Sequence, residues 1–497
     1  MRTEEKYSSI LEFLNRIEND FPVNEWKLYD FYIWPVIRIA LGMKLSYENL
    51  YSEKNQITSA NSSLVKDSLN SIYLSEINSI HDSKKNQNAK GKYDILFLNV
   101  SSTRYYKIGD KWFNPFSDSF VNYLEKENVS SLVLEYPDEQ KIPRYRGSKY
   151  IGTGINLMNL NVLFQKRFEK ADITKLKDFN NFLGTIKLSE DFFLKKILRV
   201  LNYSYYYEKI LKKTNPSVVI VEGFYSYIAM GLVLAAHRQN VKCIDVQHGV
   251  QSENDFLYSK WTKLPVDGYE LLPDIFWCWC EVEKNSIDKW AMNSKKNSAI
   301  TGGNPVLELD ENNENIKKFT SEIESIKNSS LDSINILYTH QASFEISETL
   351  FNVIKKSPAN WKWWVRFHPQ YKDAQGMVAA KIAKYNFPNV ISENVIEYPL
   401  PLLLKNMDLH VTEFSSSVLE AEMLGVPSIV LDKSGVELFS NQIQNCIARY
   451  AENESSFFKD AEFLLNKKNT ELKNNNEENF KTGIEMLLSL VEEKKKS

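Results

Sequence analysis

The chain has 497 residues, of which 43% are apolar and 25% charged, and 61 basic against 64 acidic side chains leave a net charge of −3. This composition belongs to a globular protein with large cores; it excludes extended disorder and a collagen-like repeat, and gives no global basic charge that would argue for nucleic acid as a partner. Four cysteines are too few for a disulfide framework at this length and fit a reducing compartment.

The first residues, MRTEEKYSSILEF, lack the basic start and apolar stretch of a signal peptide, and no run approaches the 18 apolar residues that would span a bilayer. A cytoplasmic protein is expected. Ile10, Phe13, Leu14 and Ile17 fall on one face of a helix. Pro22 ends that pattern, and a second helix is predicted from about Trp26, with FYIWPVIRIALGM as a core segment interrupted by Pro35 and Arg38. Residues 50–92 are a polar connection rich in Ser, Asn and Lys. Residues 1–92 are therefore expected to form a helical N-terminal extension. Its amphipathic helices are a candidate for peripheral docking at the inner face of the cytoplasmic membrane.

From Tyr93 the pattern changes. YDILFLNVSS, VSSLVLEYP, PSVVIVEG and KCIDVQHG are short apolar runs ending in small or polar residues, with helical stretches between them at Ser189–Lys213 and Tyr227–Gln239. Buried strands alternating with helices predict an α/β domain with a parallel sheet. PDIFWCWC and SAITGGNPV extend the first series to about Val306. INILYTH, WKWWVRFHP, PNVIS, DLHVTEFSSS and VPSIVLD make a second series. Two domains are expected, at 93–308 and 309–497, facing each other across a cleft at the carboxyl ends of their strands.

Four stretches carry candidate chemistry. In DLHVTEFSSSVLEAEMLGVPSIVLD a strand ends near Thr412 and a helix starts near Val418, so Ser415, Ser416 and Ser417 stand where hydroxyls and free N–H groups can bind a phosphate. The competing reading is a capping box of Ser417 with Glu420. In WKWWVRFHPQY, His368 ends an aromatic strand and Pro369 stops it, which places an imidazole at the sheet rim. Glu222 ends the strand VVIVE before Gly223 and is a candidate general base or nucleophile, against the plainer reading of an acid favoured at a helix start. His248, with Gln247, ends the strand of CIDVQHG and can orient a substrate. TGGNP and THQAS are loops after strands. There is no Walker A motif, no G-x-G-x-x-G, no HExxH and no paired Cys/His ligand set, so no metal is predicted.

Taken together, these residues resemble GT-B glycosyltransferases, built from two facing Rossmann-like domains. Leu419-Glu420-Ala421 through Gly425-Val426-Pro427 looks like the donor-site helix of that fold, and the resemblance implies that Glu420 binds the donor ribose. His368-Pro369 and Ser415-Ser416-Ser417 are similar to the HP and SS motifs of bacterial sialyltransferases and capsule Kdo transferases. That similarity implies that His368 and the serines hold the phosphate of a CMP-linked donor. Those families carry two acids before the glycine, where Val221-Glu222-Gly223 has one. QHG, LPDIFW and TGGNP are similar to capsular and surface polysaccharide biosynthesis proteins, and also to CDP-glycerol glycerophosphotransferases. The motifs span roughly residues 93–440.

The expected activity is metal-independent transfer of a sugar, Kdo or sialic-acid-like, from a CMP-sugar to a glycan or lipid-linked glycan acceptor, with no cofactor beyond the nucleotide sugar. Three alternatives stand beside it. One is a CDP-glycerol or CDP-ribitol polyol-phosphate transferase with His248 as base. Another is an enzyme like the UDP-GlcNAc 2-epimerases, and the third is a non-catalytic polysaccharide assembly protein.

Overall fold

The structure is a computed structural model. It describes residues 3–28, 30–54, 91–104, 106–136, 142–151, 183, 190–251, 253–328, 332–340, 347–367, 382, 384–385, 387–392, 394–467 and 475–496.

The first sheet has seven strands: β1 (Ile95–Val100), β2 (Ser131–Tyr136), β3 (Lys149–Tyr150), β4 (Val218–Glu222), β5 (Lys242–Val246), β6 (Ile275–Cys278) and β7 (Ser298–Thr301). Their order across the sheet is β7-β6-β5-β4-β1-β2-β3, and every pairing is parallel. The second sheet has six: β8 (Ile334–His340), β9 (Trp361–Phe367), β10 (Val390–Ile391), β11 (Leu409–Thr412), β12 (Ser428–Val430) and β13 (Ala448–Tyr450). They run in the order β10-β9-β8-β11-β12-β13, again parallel throughout. Both sheets thus reverse direction once, between β1 and β4 in the first and between β8 and β11 in the second. Helices cover both faces, so the strands are apolar on both sides, as in ILFLNV and VVIVE. Two such Rossmann-like sheets facing one another across a cleft are the GT-B arrangement, as expected.

Helices near both ends of the chain pack against the first sheet. The helices Thr3–Asp20 and Trp34–Lys54 are not an appendage: Ile10, Leu14, Ile17, Trp34, Ile37 and Leu41 belong to the same apolar core as Val219 and Val221 of β4. The second helix starts at Trp34 rather than near Trp26, because Lys27–Leu28 and Phe31–Tyr32 form a small antiparallel ladder first. Pro35 lies in the first turn of that helix, where its missing N–H costs nothing. Arg38 is wholly buried; its Nε lies 3.1 Å from Glu18, and its guanidinium donates to the carbonyls of Phe256, Ser259 and Lys260. Glu18 in turn accepts from Trp34 Nε1 and Thr262 N. The charge pair therefore clips the N-terminal helices to the loop after β5.

At the other end, the helix Asn476–Lys496 leaves the second domain and packs on the first. Phe480, Ile484, Leu487 and Val491 join Ile95, Phe97, Phe120 and Trp277 in one core. The long amphipathic helix finds its apolar counterpart there, on the face of the first sheet that the N-terminal helices leave open. Most of the polar connection, residues 55–90, lies outside the described residues.

Candidate functional site

The two sheets present the ends of their strands to a cleft. The first domain contributes Tyr106, Phe116, His248 and Val306 to its walls. The second contributes Thr339 and His340 from the end of β8, Arg366 and Phe367 from the end of β9, and the segment Ser415–Ser417 with Glu420 after β11. The second-domain residues thus gather where β8 meets β11, the point of strand reversal where open α/β sheets bind ligands.

Ser417 opens a helix, Ser417–Met423, of only seven residues. A helix so short contributes little dipole, and the serines act through their hydroxyls instead. The capping box is not formed. Ser416 stands at the cap without a side-chain bond, and Ser417 Oγ lies 3.1 Å from His410 Nε2 and 2.9 Å from Thr339 Oγ1. His410, buried in mid-strand, also meets Thr339 Oγ1 at 2.9 Å and Ser428 Oγ at 2.9 Å. Burial pulls its pKa down to about 3, so the ring is neutral and pins two cleft-facing hydroxyls from behind. The sequence carried a signal for this, a lone His inside an apolar strand, two residues ahead of Thr412.

Glu420 is free of the cap. It is 7% exposed, its Oε2 has no hydrogen-bond partner among the described residues, and burial pushes its pKa up to about 8. A buried carboxyl with an unused oxygen on a cleft wall is suited to a pair of hydroxyls on a ligand. His340 is oriented by its own strand: Nδ1 lies 2.8 Å from Tyr338 Oη, which donates to Glu413 at 2.6 Å.

On the first domain, His248 reaches the cleft, and its Nε2 lies 2.9 Å from Tyr225 Oη. Burial lowers its pKa to about 4, so it is neutral at physiological pH and able to take a proton. Gly223 makes room for it. This residue has φ +72°, and a Cβ there would stand 3.2 Å from the His248 ring.

Glu222 takes a different place from the one expected of a base. It ends β4 at the reversal point of the first sheet, but it is 3% exposed and is not among the residues that line the cleft. Its carboxyl accepts from Thr103 Oγ1 at 3.0 Å and Val100 N at 3.3 Å. Burial raises its pKa to about 8. In this structure it ties β4 to the turn after β1. Gln247 is likewise turned inward, accepting from Trp279 N and donating to Gly249 O.

His368 and Pro369 lie outside the described residues, as do residues 341–343 of THQAS. Among the described residues, no group of three or more His, Cys, Asp or Glu side chains is placed to hold a metal ion, and no helix is long and apolar enough to cross a membrane. Sequence reasoning missed Tyr106, Arg366 and His410, and of the three only His410 carried a signal in the sequence.

No family model and no curated protein matches the chain. Among solved structures it is similar to the UDP-GlcNAc 2-epimerase of Methanocaldococcus jannaschii in complex with UDP-GlcNAc and UDP, at 18% identity and a TM-score of 0.48, over 80% of this chain and 99% of that one. It is similar to the Neisseria meningitidis UDP-GlcNAc 2-epimerase bound to UDP-GlcNAc at 17% identity and a TM-score of 0.45, over 80% of this chain and all of that one (100%). A third likeness is to the wall teichoic acid polymerase TagF, at 11% identity and a TM-score of 0.48, over 86% of this chain and 97% of that one. These likenesses assign neither substrate nor activity to this chain.

Proposed function

We propose that the protein is an enzyme that binds a nucleotide-activated sugar or polyol phosphate in the cleft between its domains and passes the activated group to an acceptor hydroxyl. The observation that carries this reading is the buried Glu420 carboxyl, whose Oε2 has no partner among the described residues, on the same wall as the Ser415–Ser417 hydroxyls and across from His248. Glu420 receives the ribose diol. Ser415, Ser416 and Thr339 donate to a phosphate, with Ser417 and His410 holding the hydroxyl array in place. The CMP-linked acidic sugars of the leading sequence expectation and the nucleoside diphosphate donors of its alternatives share a nucleotide ribose and phosphate, and these residues suit both.

His248 is the residue proposed to take the proton of the acceptor hydroxyl. It is neutral, it lies on the cleft, and Tyr225 holds its ring. Glu222 is proposed to shape the first domain's loop rather than to meet substrate. This division of roles favours the polyol-phosphate alternative over a glutamate-based glycosyl transfer. Its acceptor would be a glycan or a lipid-linked glycan.

The test is calorimetry on the full chain with CMP, CDP, UMP and UDP, followed by turnover assays. Binding of at least one nucleotide is expected, weakened about tenfold or more in Glu420→Ala, as for a loss of two buried hydrogen bonds of about 1 kcal/mol each. His248→Ala should remove turnover while keeping nucleotide affinity, and Glu222→Gln should retain turnover. A chain that binds no nucleotide is not this enzyme.

A further inference from the structure

Two cleft residues have no part in the roles above. Arg366, near the end of β9, is 5% exposed. Its Nη1 donates to the carbonyls of Val395, Ile396 and Tyr398 at 3.0, 2.9 and 2.9 Å. Among the described residues no carboxylate lies within ion-pair distance of it. Burial draws its pKa down to about 10, which leaves it charged at neutral pH. Three carbonyls satisfy the geometry of one nitrogen but do not neutralise the charge. A buried cation in this state costs stability unless an anion arrives to meet it.

Tyr106 approaches from the other domain. It opens a small antiparallel hairpin, Tyr106–Ile108 with Lys111–Phe113, that reaches across to the second domain, packing Ile108 and Phe113 with Ile316. Tyr106 is 2% exposed and lines the cleft, and its Oη has no hydrogen-bond partner among the described residues. Its strand, Tyr106–Ile108, lies against the turn Val395–Glu397, two of whose carbonyls hold the Arg366 guanidinium. A donor hydroxyl and an uncompensated guanidinium, one from each domain, therefore share one wall of the cleft.

We infer that Arg366 and Tyr106 form a second anion subsite in the cleft, which binds a negatively charged group of the donor beyond its first phosphate. This deepens the proposed function and rests on it. The shared chemistry is an oxyanion able to accept from a guanidinium and a phenol. Two sources carry it: the second phosphate of a nucleoside diphosphate, or the carboxylate of an acidic sugar linked through a single phosphate. Because the donors come from both domains, the subsite exists only when the domains are together.

The experiment is titration calorimetry on the full chain with CMP, CDP, UMP, UDP and CMP-N-acetylneuraminate. The readout is the ratio of affinities between each ligand with two anionic groups (CDP, UDP or CMP-N-acetylneuraminate) and its matching monophosphate. The wild type should prefer the former by about tenfold or more, the scale of one charge-assisted contact. In Arg366→Gln the ratio should fall towards unity, and in Tyr106→Phe, which keeps the ring and its packing, it should fall a few-fold. Arg366→Lys, which retains a cation, should keep part of the preference. It also guards against Arg366→Gln failing through its lost carbonyl bonds. A preference for CDP or UDP marks the second phosphate as the ligand; a preference confined to CMP-N-acetylneuraminate marks the carboxylate. An unchanged ratio in Arg366→Lys, Arg366→Gln and Tyr106→Phe, or no preference in the wild type, overturns the subsite while leaving the donor cleft standing. Absence of binding by every nucleotide overturns both.

Discussion

Glu222 shows how much a single side chain's direction matters. Its position at a strand end is legible in VVIVEG, but not which neighbour claims the carboxyl. Thr103 and Val100, more than a hundred residues earlier, do so. With its pKa raised to about 8 by burial, Glu222 holds a proton that the unfolded chain releases near its ordinary value of 4.5. The folded form is thus favoured in full below about 4.5, and that contribution is lost as pH rises through about 8. Asp245 and Asp118, both raised by burial to about 7, act in the same direction. His248 and His410, depressed to about 4 and 3, act in the opposite direction and only below their ordinary 6.5. Urea unfolding should therefore show stability falling between pH 6.5 and 8.5. Glu222→Gln, whose amide oxygen still accepts from Thr103, should make that fall shallower. An identical slope in the variant would remove Glu222 from the account.

At the scale of elements, most strands were readable. Apolar runs such as ILFLNV, VVIVE and INILYTH end in polar residues, and the structure places a strand in each. The serines, Glu420 and His248 were legible because they follow such strands directly. Arg366 was not, since WKWWVRF gives no sign that its guanidinium lies on a cleft wall. Nor was the destination of the last helix legible: its periodicity shows that one face is buried, without showing against what. Packing against Trp277 is tight there. A Cβ on Gly483 would stand 2.3 Å from the Trp277 ring, and one on Gly302 would stand 2.2 Å from it on another side. Gly483→Ala should cost about 1–3 kcal/mol in urea denaturation, as overpacking of a full core does. A neutral substitution would mean that the helix can slide.

At the scale of the whole molecule, further contacts besides the helix Asn476–Lys496 cross between the domains. The hairpin at Tyr106–Phe113 packs on Ile316. The helix Thr3–Asp20 touches the helix Lys433–Leu438. Trp279, just past β6, is 2% exposed and sits among Val418, Leu419, Val430 and Phe439 of the second domain. Its Nε1 donates to Gln247 O, which ties the indole to the strand carrying His248. The tryptophan thereby links the segment that carries His248 to the helix Ser417–Met423. Trp279→Ala should lose about 3–5 kcal/mol through the cavity it leaves. It should also raise the radius of gyration by X-ray scattering and weaken nucleotide binding. An unchanged radius would show that the remaining crossing contacts hold the cleft closed without it.

The terminal helix also bears on how the protein is made. A ribosome releases the first sheet early, yet Phe97, Phe120 and Trp277 gain Phe480, Ile484 and Leu487 as neighbours only when the helix Asn476–Lys496 emerges. Until that helix emerges, the nascent first domain exposes an aromatic face. The domain synthesised first is therefore completed only after the second has been made, and a chain lacking Asn476–Lys496 would offer that aromatic face to chaperones.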